Sequence, residues 1–562
     1  MTGPARSQPR LAAPLLLLAA LGVALALAEV AARALLDPPR YHNEPLELDA
    51  TLGFRGIPGH RRRVADGEGA PFAFVLNRDG FRGAPLPKGP AARGTRRVVF
   101  LGDSFLVGAG VAETQLLTRR LGDLLSAGWE GGAAGPVEVL NLSAADYGTG
   151  QELLLLRREG PRLAPDLVVL SLYPHNDLVN NYEGLAFRTR VSPGDYVRPY
   201  VVPADDGRLE VRYTHPWRAW LRRHSRLFAA SERAAVAYGA RHDVAWLHPF
   251  RRPEPERQRL AEGRAPAEHQ EIYRAHPPDS DWERAWQRTA RLLRAVRDTT
   301  TSLSARLVVL VIPELHQVRR VARDVEHDLV LRSEHGSSLD AYLDWNLPER
   351  RLARFFQEEG IEHVLLLPHL RRAVAAGDDV YLRDRHLNAR GHEIAAQRLA
   401  AALAGPGKTP PPDGRPVRLP APTVAPARIE PGRPDHWHFH DEGWIPWMPP
   451  EDTAGAEGGG ALATQQALVV LPARGRELVV RGISAARRHP HEVVLQLVGG
   501  PSQTLRIEKP GPFVLRAGLP LARVPRSDGW VALRFATPPG AGPDDPSTGL
   551  IVRELGLAPA VR

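Results

Sequence analysis

The sequence predicts an α/β domain with a flavodoxin-like, doubly wound parallel sheet, followed by a separate β-sandwich domain. Through the first 404 positions of the 562-residue chain, short apolar runs alternate with helical patterns. Ten prolines then crowd the stretch from Pro406 to Pro434, which is too stiff and extended to build a core. Beyond it the chain shows short β-rich runs separated by turn residues, a pattern typical of a sandwich.

Five apolar runs are predicted to be buried strands of the first domain. They lie at residues 97–101, 137–142, 167–172, 307–312 and 361–366. The helical patterns that separate or follow them lie at residues 114–125, 152–159, 282–298, 348–359 and 389–404. Apolar strands alternating with helices favour a parallel sheet covered on both faces. Ligands of such sheets bind outside the carboxyl ends of the strands, so chemistry is expected in the loops at that edge.

The composition shifts define the predicted domain boundaries. They divide the chain into an N-terminal membrane segment (1–40), the α/β domain (41–404), a proline-rich linker (405–435) and the β-sandwich (436–562). An insertion at about 183–280, between the third and fourth strands, is predicted to form a helical cap. Trp217 and Trp220 have helical spacing there, and we expect its aromatic side chains to form the cap's own core, with a substrate groove as the alternative.

The N-terminus carries a membrane signal. Arg6 and Arg10 precede an uncharged apolar run from Leu11 to Ala28, which is followed by Glu29. About 18 to 20 apolar residues span the hydrocarbon of a membrane as a helix, and positive charge before the run predicts the N-terminus inside. The run also ends like a signal-peptidase site, so cleavage is the alternative to an uncleaved single-pass anchor. Either way the body of the protein is expected outside the cytoplasm.

The overall composition argues against several partners and cofactors. The net charge is +9, but only three of the 73 basic residues are lysine, so the arginine excess reflects genome composition rather than a nucleic-acid site. Because the chain has no cysteine, disulfides and thiolate metal sites are excluded. Neither a metal nor a cofactor is predicted, and no nucleic-acid partner is expected.

A candidate nucleophile stands at the turn from the first strand into a helix. The segment is Gly102-Asp103-Ser104-Phe105. A serine at such a turn directs its hydroxyl out of the sheet edge, and the helix N-terminus offers backbone N–H groups to a developing oxyanion. The alternative is a glycine–serine turn that only caps a helix.

A serine hydroxyl needs a neighbouring base that is itself oriented by a third group. The best candidate for the base is His386, in the loop before the last helix, and Asp384 is placed to accept its Nδ1 hydrogen. His392 is the rival and is expected to be packed inside the last helix. Asn176 follows the third strand, and a side-chain amide at that place can donate to an oxyanion.

These residues resemble the sequence blocks of the SGNH (GDSL-type) hydrolase superfamily over residues 70–404. Gly102–Phe105 resembles the first block, the loop 141–151 the second, Asn176-Asp177 the third and Asp384–His386 the last. The segment Asn77–Arg82 is similar to one in the membrane-anchored bacterial branch.

The resemblance implies a triad and an oxyanion hole. It assigns Ser104 as nucleophile, His386 as base and Asp384 as the orienting acid, with the Ser104 N–H, Gly148 and Asn176 holding the oxyanion. Asp146 stands where the second block usually has glycine, so either Gly148 or the N–H of Asp146 would supply that donor. The remaining candidate residues for substrate binding are Asp103, Asp146 and Asp177.

The implied reaction is ester hydrolysis through an acyl-enzyme. The expected substrate is an acyl group, acetyl in particular, on a cell-envelope carbohydrate. An O-acyltransferase using the same triad and a non-catalytic glycan-binding scaffold are the alternatives. In the C-terminal domain, His436, His438 and His440 would share one face of a strand, where we favour solvent exposure over metal binding. Trp444 and Trp447 would pack in a core or stack on sugars.

Overall fold

A computed structural model describes most of the first 404 residues and parts of the C-terminal region. The described residues of the first region are 12–38, 41, 45–65, 71–128, 136–189, 197–242, 259, 265 and 267–404. Those of the C-terminal region are 428–429, 444–447, 460–463, 466–473, 477–484, 491–509, 511–519, 530–536 and 550–558. The three histidines at 436, 438 and 440, and most of the predicted linker, lie outside these ranges.

Twenty-one strands and fifteen α-helices occur in the part of the chain that the structure describes. The strands are β1 (Leu46–Asp49), β2 (Gly53–Gly56), β3 (Arg61–Ala65), β4 (Pro71–Val75), β5 (Arg96–Gly102), β6 (Val137–Ser143), β7 (Leu167–Leu172), β8 (Tyr200–Pro203), β9 (Leu209–Arg212), β10 (Arg306–Val311), β11 (Glu362–Leu365), β12 (Arg428–Ile429), β13 (Trp444–Trp447), β14 (Gly460–Ala463), β15 (Gln466–Pro472), β16 (Glu477–Ser484), β17 (His491–Leu497), β18 (Ser502–Ile507), β19 (Gly511–Gly518), β20 (Trp530–Ala536) and β21 (Leu550–Ala558). The helices are α1 (Ala12–Leu35), α2 (Ser104–Val107), α3 (Leu117–Ser126), α4 (Thr149–Leu163), α5 (Pro174–Asn181), α6 (Glu183–Thr189), α7 (Pro216–His224), α8 (Arg226–His242), α9 (Asp281–Ser302), α10 (Leu315–Val318), α11 (Ala322–His335), α12 (Leu339–Tyr342), α13 (Leu347–Glu358), α14 (Leu367–Ala375) and α15 (Ala389–Ala404).

The central sheet has the predicted fold. Its five strands are parallel and lie in the order β11-β10-β7-β5-β6, which is the doubly wound order of a flavodoxin-like sheet. Alternate strand residues enter two hydrophobic clusters, one on each face. Helices α4, α9 and α13 contribute to one cluster, and α3, α14 and α15 contribute to the other. The five predicted strands and the main predicted helices of this domain are confirmed.

The insertion differs from the expectation in one respect. Helices α7 and α8 form a pair, but Trp217 and Trp220 are 61% and 58% exposed. The prediction that these two rings form the cap's own core is therefore wrong. Helix α7 buries Ala219 and Arg222 instead, and Arg222 is ion-paired with Glu232 of α8 at 2.7 Å. The insertion's aromatics at positions 246 and 250 lie outside the described residues.

The C-terminal region forms two antiparallel sheets, which confirms the predicted sandwich-like domain. One sheet has the order β13-β14-β21-β16-β19, with β12 pairing beside β21, and the other has the order β15-β20-β17-β18. The hydrophobic cluster of this domain includes Val325 and Leu329 of α11. Arg534 of β20 also bonds to Glu326 of the same helix. The sandwich therefore packs directly on the α/β domain.

Candidate active site

Ser104 occupies the first position of α2, directly after the carboxyl end of β5. Asp103 caps this short helix, since its Oδ1 accepts a hydrogen bond from the Phe105 N–H at 3.0 Å. A capping aspartate fixes the backbone of the turn and satisfies an N–H that the helix leaves unpaired. The nucleophile candidate is thus held by a local motif that the sequence Gly-Asp-Ser-Phe itself supplies.

The structure brings Ser104, His386 and Asp384 together, although 282 positions separate the serine from the histidine. Nε2 of His386 lies 2.8 Å from the Ser104 Oγ, and Nδ1 of His386 lies 3.2 Å from Oδ1 of Asp384. The first distance is that of a hydrogen bond, and the second joins the ring to a carboxylate that can orient it. The three side chains form a serine–histidine–aspartate chain at the carboxyl edge of the sheet.

The spacing of two residues between Asp384 and His386 is explained by the backbone between them. Arg385 has a φ of +73°, in the left-handed region, so the chain turns back sharply at this residue. The turn lets Oδ1 of Asp384 accept the backbone N–H of His386 at 3.1 Å as well as face its ring. One carboxylate oxygen therefore fixes both the backbone and the imidazole of the same residue.

The acid–base pair is open to solvent. The side chain of Asp384 is 58% exposed and that of His386 is 30% exposed. Partial desolvation raises the pKa of Asp384, but its hydrogen bond with His386 and the charge of that ring outweigh it, and the net pKa is lowered. Asp384 is thus the anionic member of the chain at neutral pH.

Two aromatic rings form a wall beside the imidazole. The ring of Phe105 lies 4.9 Å from that of His386 and 4.5 Å from that of Tyr173, measured between centroids. Both aromatic residues are buried. Their packing restricts the imidazole on one side, which adds to the orientation that Asp384 provides.

Asn176 lies at the third position of α5, next to the nucleophile turn. Its Nδ2 donates a hydrogen bond to Oδ2 of Asp103 at 3.1 Å, and both residues are buried. Burial raises the pKa of Asp103, while the N–H of Phe105, the charge of His386 and the amide of Asn176 oppose the increase. This contact holds the amide of Asn176 at the edge where an oxyanion would form.

The loop after β6 presents an unusual backbone conformation at Asp146. Its φ is +65°, a conformation that glycine adopts freely and aspartate tolerates. Arg198, fully buried, contacts Oδ2 and the carbonyl oxygen of Asp146, each at 2.6 Å, and Tyr41 donates to Oδ2 at 3.0 Å. The insertion and the N-terminal segment therefore hold this loop in place.

Gly148 is the residue before α4, and it is required by packing. A Cβ at this position would lie 2.8 Å from Cβ of Asn180 and 2.9 Å from Oδ1 of Asn181. The glycine thus lets the start of α4 approach α5 closely. Its predicted place in the oxyanion hole stays a prediction.

Asp177 makes contacts that belong to the framework. Its carboxylate accepts from the N–H and the hydroxyl of Thr149 at 2.8 and 2.6 Å and from the Tyr173 N–H at 2.9 Å. Burial, followed by the negative charge of Asp103, raises the pKa of Asp177 to about 7. These bonds join the starts of α4 and α5, and substrate binding by Asp103, Asp146 or Asp177 stays a prediction.

The rival histidine is buried against the start of α3. His392 accepts a hydrogen bond from the Leu117 N–H at its Nδ1, at 3.3 Å. Burial lowers its pKa to about 3, so the ring is neutral at physiological pH. This agrees with the expectation that His392 packs in the last helix.

Sequence reasoning missed the function of one residue next to the site. The buried guanidinium of Arg82 donates to the carbonyl oxygens of Val107, Gly108 and Val111, which lie at the end of α2 and in the loop after it. The signal was present, because Arg82 ends the Asn77–Arg82 segment singled out above. Residues 77–82 therefore hold in place the loop that follows Ser104 and α2.

Within the described ranges, no group of three or more histidine, aspartate or glutamate side chains could hold a metal ion. The site's donors are instead a hydroxyl, an imidazole, a carboxylate and amides, which suits acyl chemistry.

Comparisons with known proteins give remote likenesses. No protein-family model matches the chain, and no curated protein matches it. Among solved structures it is similar to a two-domain esterase active on acetylated mannans, at 10% identity over 84% of this chain and 92% of that one, with a TM-score of 0.24. It is similar to a member of the lipolytic G-D-S-L family from Veillonella parvula, at 11% identity over 55% and 97% of the two chains, with a TM-score of 0.25. An acetylxylan esterase from Geobacillus stearothermophilus matches at 11% identity over 55% and 94%, with a TM-score of 0.25. Likenesses this remote leave the function to be inferred from the site's own geometry.

Proposed function

We propose that the protein is a serine esterase of the SGNH type, which removes acyl groups through an acyl-enzyme intermediate. The observation that carries this proposal is the continuous contact from the Ser104 Oγ to Nε2 of His386 and from Nδ1 of His386 to Asp384, at 2.8 and 3.2 Å. A hydroxyl becomes a competent nucleophile when a base in hydrogen-bond reach takes its proton.

The reaction follows from the roles that each group can play. His386 takes the proton of Ser104 as the hydroxyl attacks the ester carbonyl, and it returns that proton to the departing alcohol. Asp384 stabilises the imidazolium that forms in between. Water activated by the same ring then hydrolyses the acyl-serine.

The developing oxyanion needs donors at the sheet edge. The Ser104 N–H at the start of α2 and the Asn176 amide beside it are the first two, and each donor contributes about 3 kcal/mol in enzymes of this kind. The left-handed φ of Asp146 supports its N–H as the third, since it reproduces the conformation that glycine would give at that place. The packing of Gly148 against α5 favours a structural role for that glycine.

Solvent exposure supports hydrolysis over transfer. A transferase must keep water from the acyl-enzyme until the acceptor hydroxyl arrives. Here the side chains of His386 and Asp384 are 30% and 58% exposed, so water reaches the base directly. The open base therefore favours water as the attacking group.

The proposed substrate is an acetylated carbohydrate of the cell envelope. The exposed acid–base side chains and the appended β-sandwich domain support a large substrate that reaches the site from solvent. The location is proposed from α1, because the span Pro14–Leu35 is long and apolar enough to cross a membrane. We propose a single-pass anchor with the catalytic domain outside.

The test is acetate release by the purified full-length protein in detergent, from p-nitrophenyl acetate and from acetylated polysaccharides. We expect Ser104→Ala to remove nearly all turnover while thermal unfolding is unchanged. Ser126→Ala, on the exposed end of α3, is the matched control and should keep full activity. Equal rates for Ser104→Ala and the unchanged protein would contradict the proposal, and release that requires an added polysaccharide acceptor would favour the transferase.

A further inference from the structure

We propose that the helix pair α7–α8 docks on the surface of the membrane that holds α1, with Trp217 and Trp220 among anionic phospholipid headgroups. The proposal goes beyond the esterase reaction and rests on the proposed membrane anchor. It concerns an interaction surface whose partner is the lipid bilayer itself.

Helix α1 divides into a protruding part and a docked part. Its 24 residues are about 36 Å long at 1.5 Å per residue, and the side chains from position 14 to 27 are all exposed. The last two turns contact α8, where Ala32 is buried. The apolar part thus projects from the body, and the body begins where the apolar run ends.

The docked part is fixed by Glu29, the first charged residue after the apolar run. Its carboxylate accepts hydrogen bonds from the Ser225 hydroxyl at 2.7 Å and from the backbone N–H groups of Arg226 and Leu227, each at 3.0 Å. The carboxylate therefore caps the N-terminus of α8, where the helix dipole favours negative charge. These hydrogen bonds place the junction between α7 and α8 at the same depth in the membrane as Glu29.

Further hydrogen bonds join the α7–α8 junction to the C-terminal end of α1. Arg226 donates to the carbonyl oxygens of Arg33 and Leu36 at the end of α1, at 2.6 and 2.8 Å. Arg33 in turn donates to the carbonyl oxygen of His224, the last residue of α7. Because contacts run in both directions, the angle between α1 and the helix pair is defined rather than left to a flexible linker.

Membrane dimensions then set the depth of α7. About 20 residues cross the hydrocarbon core, so a span that begins at Leu11 ends near Val30. Glu29 and Arg33 consequently lie in the headgroup region, and so does the junction they bind. Helix α7 ends at this junction and its nine residues are about 14 Å long, so all of α7 lies within about 14 Å of the headgroup region.

The exposed residues of α7 are those that membrane interfaces favour. Trp217 and Trp220 are more than half exposed, and Trp220 stacks on His224 with 4.6 Å between the ring centroids. Tryptophan is enriched at the headgroup level, where its apolar ring and its N–H are both satisfied. Residues 216–226 carry four arginines and no acidic residue. Arg218 and Arg222 share the carboxylate of Glu232, so the segment keeps a net positive charge, which suits anionic lipids.

The absence of cysteine makes a direct test possible, since one introduced cysteine can be labelled uniquely. Full-length Trp220→Cys, carrying an environment-sensitive NBD fluorophore, is reconstituted in vesicles of phosphatidylethanolamine and phosphatidylglycerol. The matched control is Glu358→Cys, on the exposed end of α13. We expect blue-shifted emission at position 220, and several-fold stronger quenching by a headgroup-proximal nitroxide lipid than at position 358.

Two outcomes would overturn the proposal. One is emission at position 220 that matches the aqueous control in the vesicles. The other is a blue shift that appears only when acetylated polysaccharide is added, which would make the two tryptophans a sugar-stacking surface. Thermal unfolding of each labelled protein checks that it is folded, and its rate on p-nitrophenyl acetate reports on the esterase separately.

Discussion

The two halves of the candidate active site are built differently. On the nucleophile side, Asp103 and Asn176 are buried and bonded to each other, and the loop after Ser104 is fixed by three carbonyl contacts of Arg82. On the acid–base side, the loop that carries His386 lies open to solvent. The protein thus prearranges the groups that would stabilise charge and leaves the groups proposed to move protons accessible to water.

Both rigid loops are held by segments outside the five-strand sheet. Arg82 comes from the stretch between β4 and β5 and fixes the loop after α2, while Arg198 comes from the insertion and fixes the loop of Asp146. Each guanidinium is nearly inaccessible to solvent. Segments outside the sheet therefore hold the loops of the candidate site in place. We expect substitutions on the nucleophile side and on the acid–base side to have different effects.

The largest expected difference lies within the acid–base pair itself. We expect His386→Ala to lower kcat by about 10⁵-fold or more, because it removes the base that is bonded to the Ser104 hydroxyl. Asp384→Ala should cost at least about tenfold less, since in serine hydrolases the aspartate alone contributes less and water can replace a half-exposed carboxylate. Steady-state kinetics on p-nitrophenyl acetate measures both losses.

A second aspartate near the His386 loop supplies the control for these two variants. Asp378→Ala removes a partly exposed aspartate from the same region, whose partner Arg390 also pairs with Glu393, and it should change kcat little. Equal losses for Asp384→Ala and His386→Ala would contradict the proposed difference, because they would show that solvent does not substitute for the carboxylate.

On the nucleophile side, we expect substitution to change mainly the free energy of unfolding. Arg82→Met removes three hydrogen bonds to buried carbonyl oxygens, of which that of Gly108 keeps the N–H of Val111, and we expect this to cost about 3 to 5 kcal/mol of unfolding free energy. Arg78→Met, in the same segment but 68% exposed, is the matched control and should cost less than about 0.5 kcal/mol. Chemical denaturation measures both values, and similar costs would show that Arg82 does not hold the loop.

The sequence was sufficient to predict the sheet and the meeting of Ser104, His386 and Asp384 at its edge, for a physical reason. Apolar runs mark buried strands, and parallel strands bring their carboxyl ends to one edge, so residues as distant as Ser104 and His386 are expected to meet there. Local motifs such as the Asp103 cap are likewise encoded within a few residues. These features depend on patterns within a few residues and on the rule that parallel strands end at the same edge of a sheet.

The remaining features depend on contacts that no short pattern encodes. The carbonyl partners of Arg82 lie 25 to 29 positions away, and Arg198 meets Asp146 across 52 positions. The left-handed φ of Asp146 follows from that tertiary support. Helical spacing correctly placed Trp217 and Trp220 on one helix, but spacing alone does not say which face is buried, and here a buried Arg222–Glu232 ion pair took the inner face.

The smallest predicted effect concerns the buried carboxyl of Glu152, on the nucleophile side of the site. Glu152 of α4 is fully buried, and among the described residues neither of its side-chain oxygens has a hydrogen-bond partner. Burial, followed by the charges of Asp177 and Asp103, raises the pKa of Glu152 well above its ordinary value of 4.5. The folded protein therefore keeps a proton that the unfolded chain releases above that pH.

The sign of the effect follows from this difference in bound protons. As pH rises above 4.5, the unfolded chain loses the Glu152 proton first, so the stability of the folded state falls until the folded pKa is passed. Glu152→Gln removes this contribution, so we expect the stability of the variant to rise relative to that of the unchanged protein from pH 5 to pH 7, by at most about 1.4 kcal/mol per pH unit. Glu358→Gln, on an exposed helix end, should leave the pH dependence unchanged. Parallel pH profiles of unfolding free energy for Glu152→Gln and the unchanged protein would show that this carboxyl is ionised in the folded state. The rigid half would then hold a buried negative charge next to the nucleophile rather than a neutral acid.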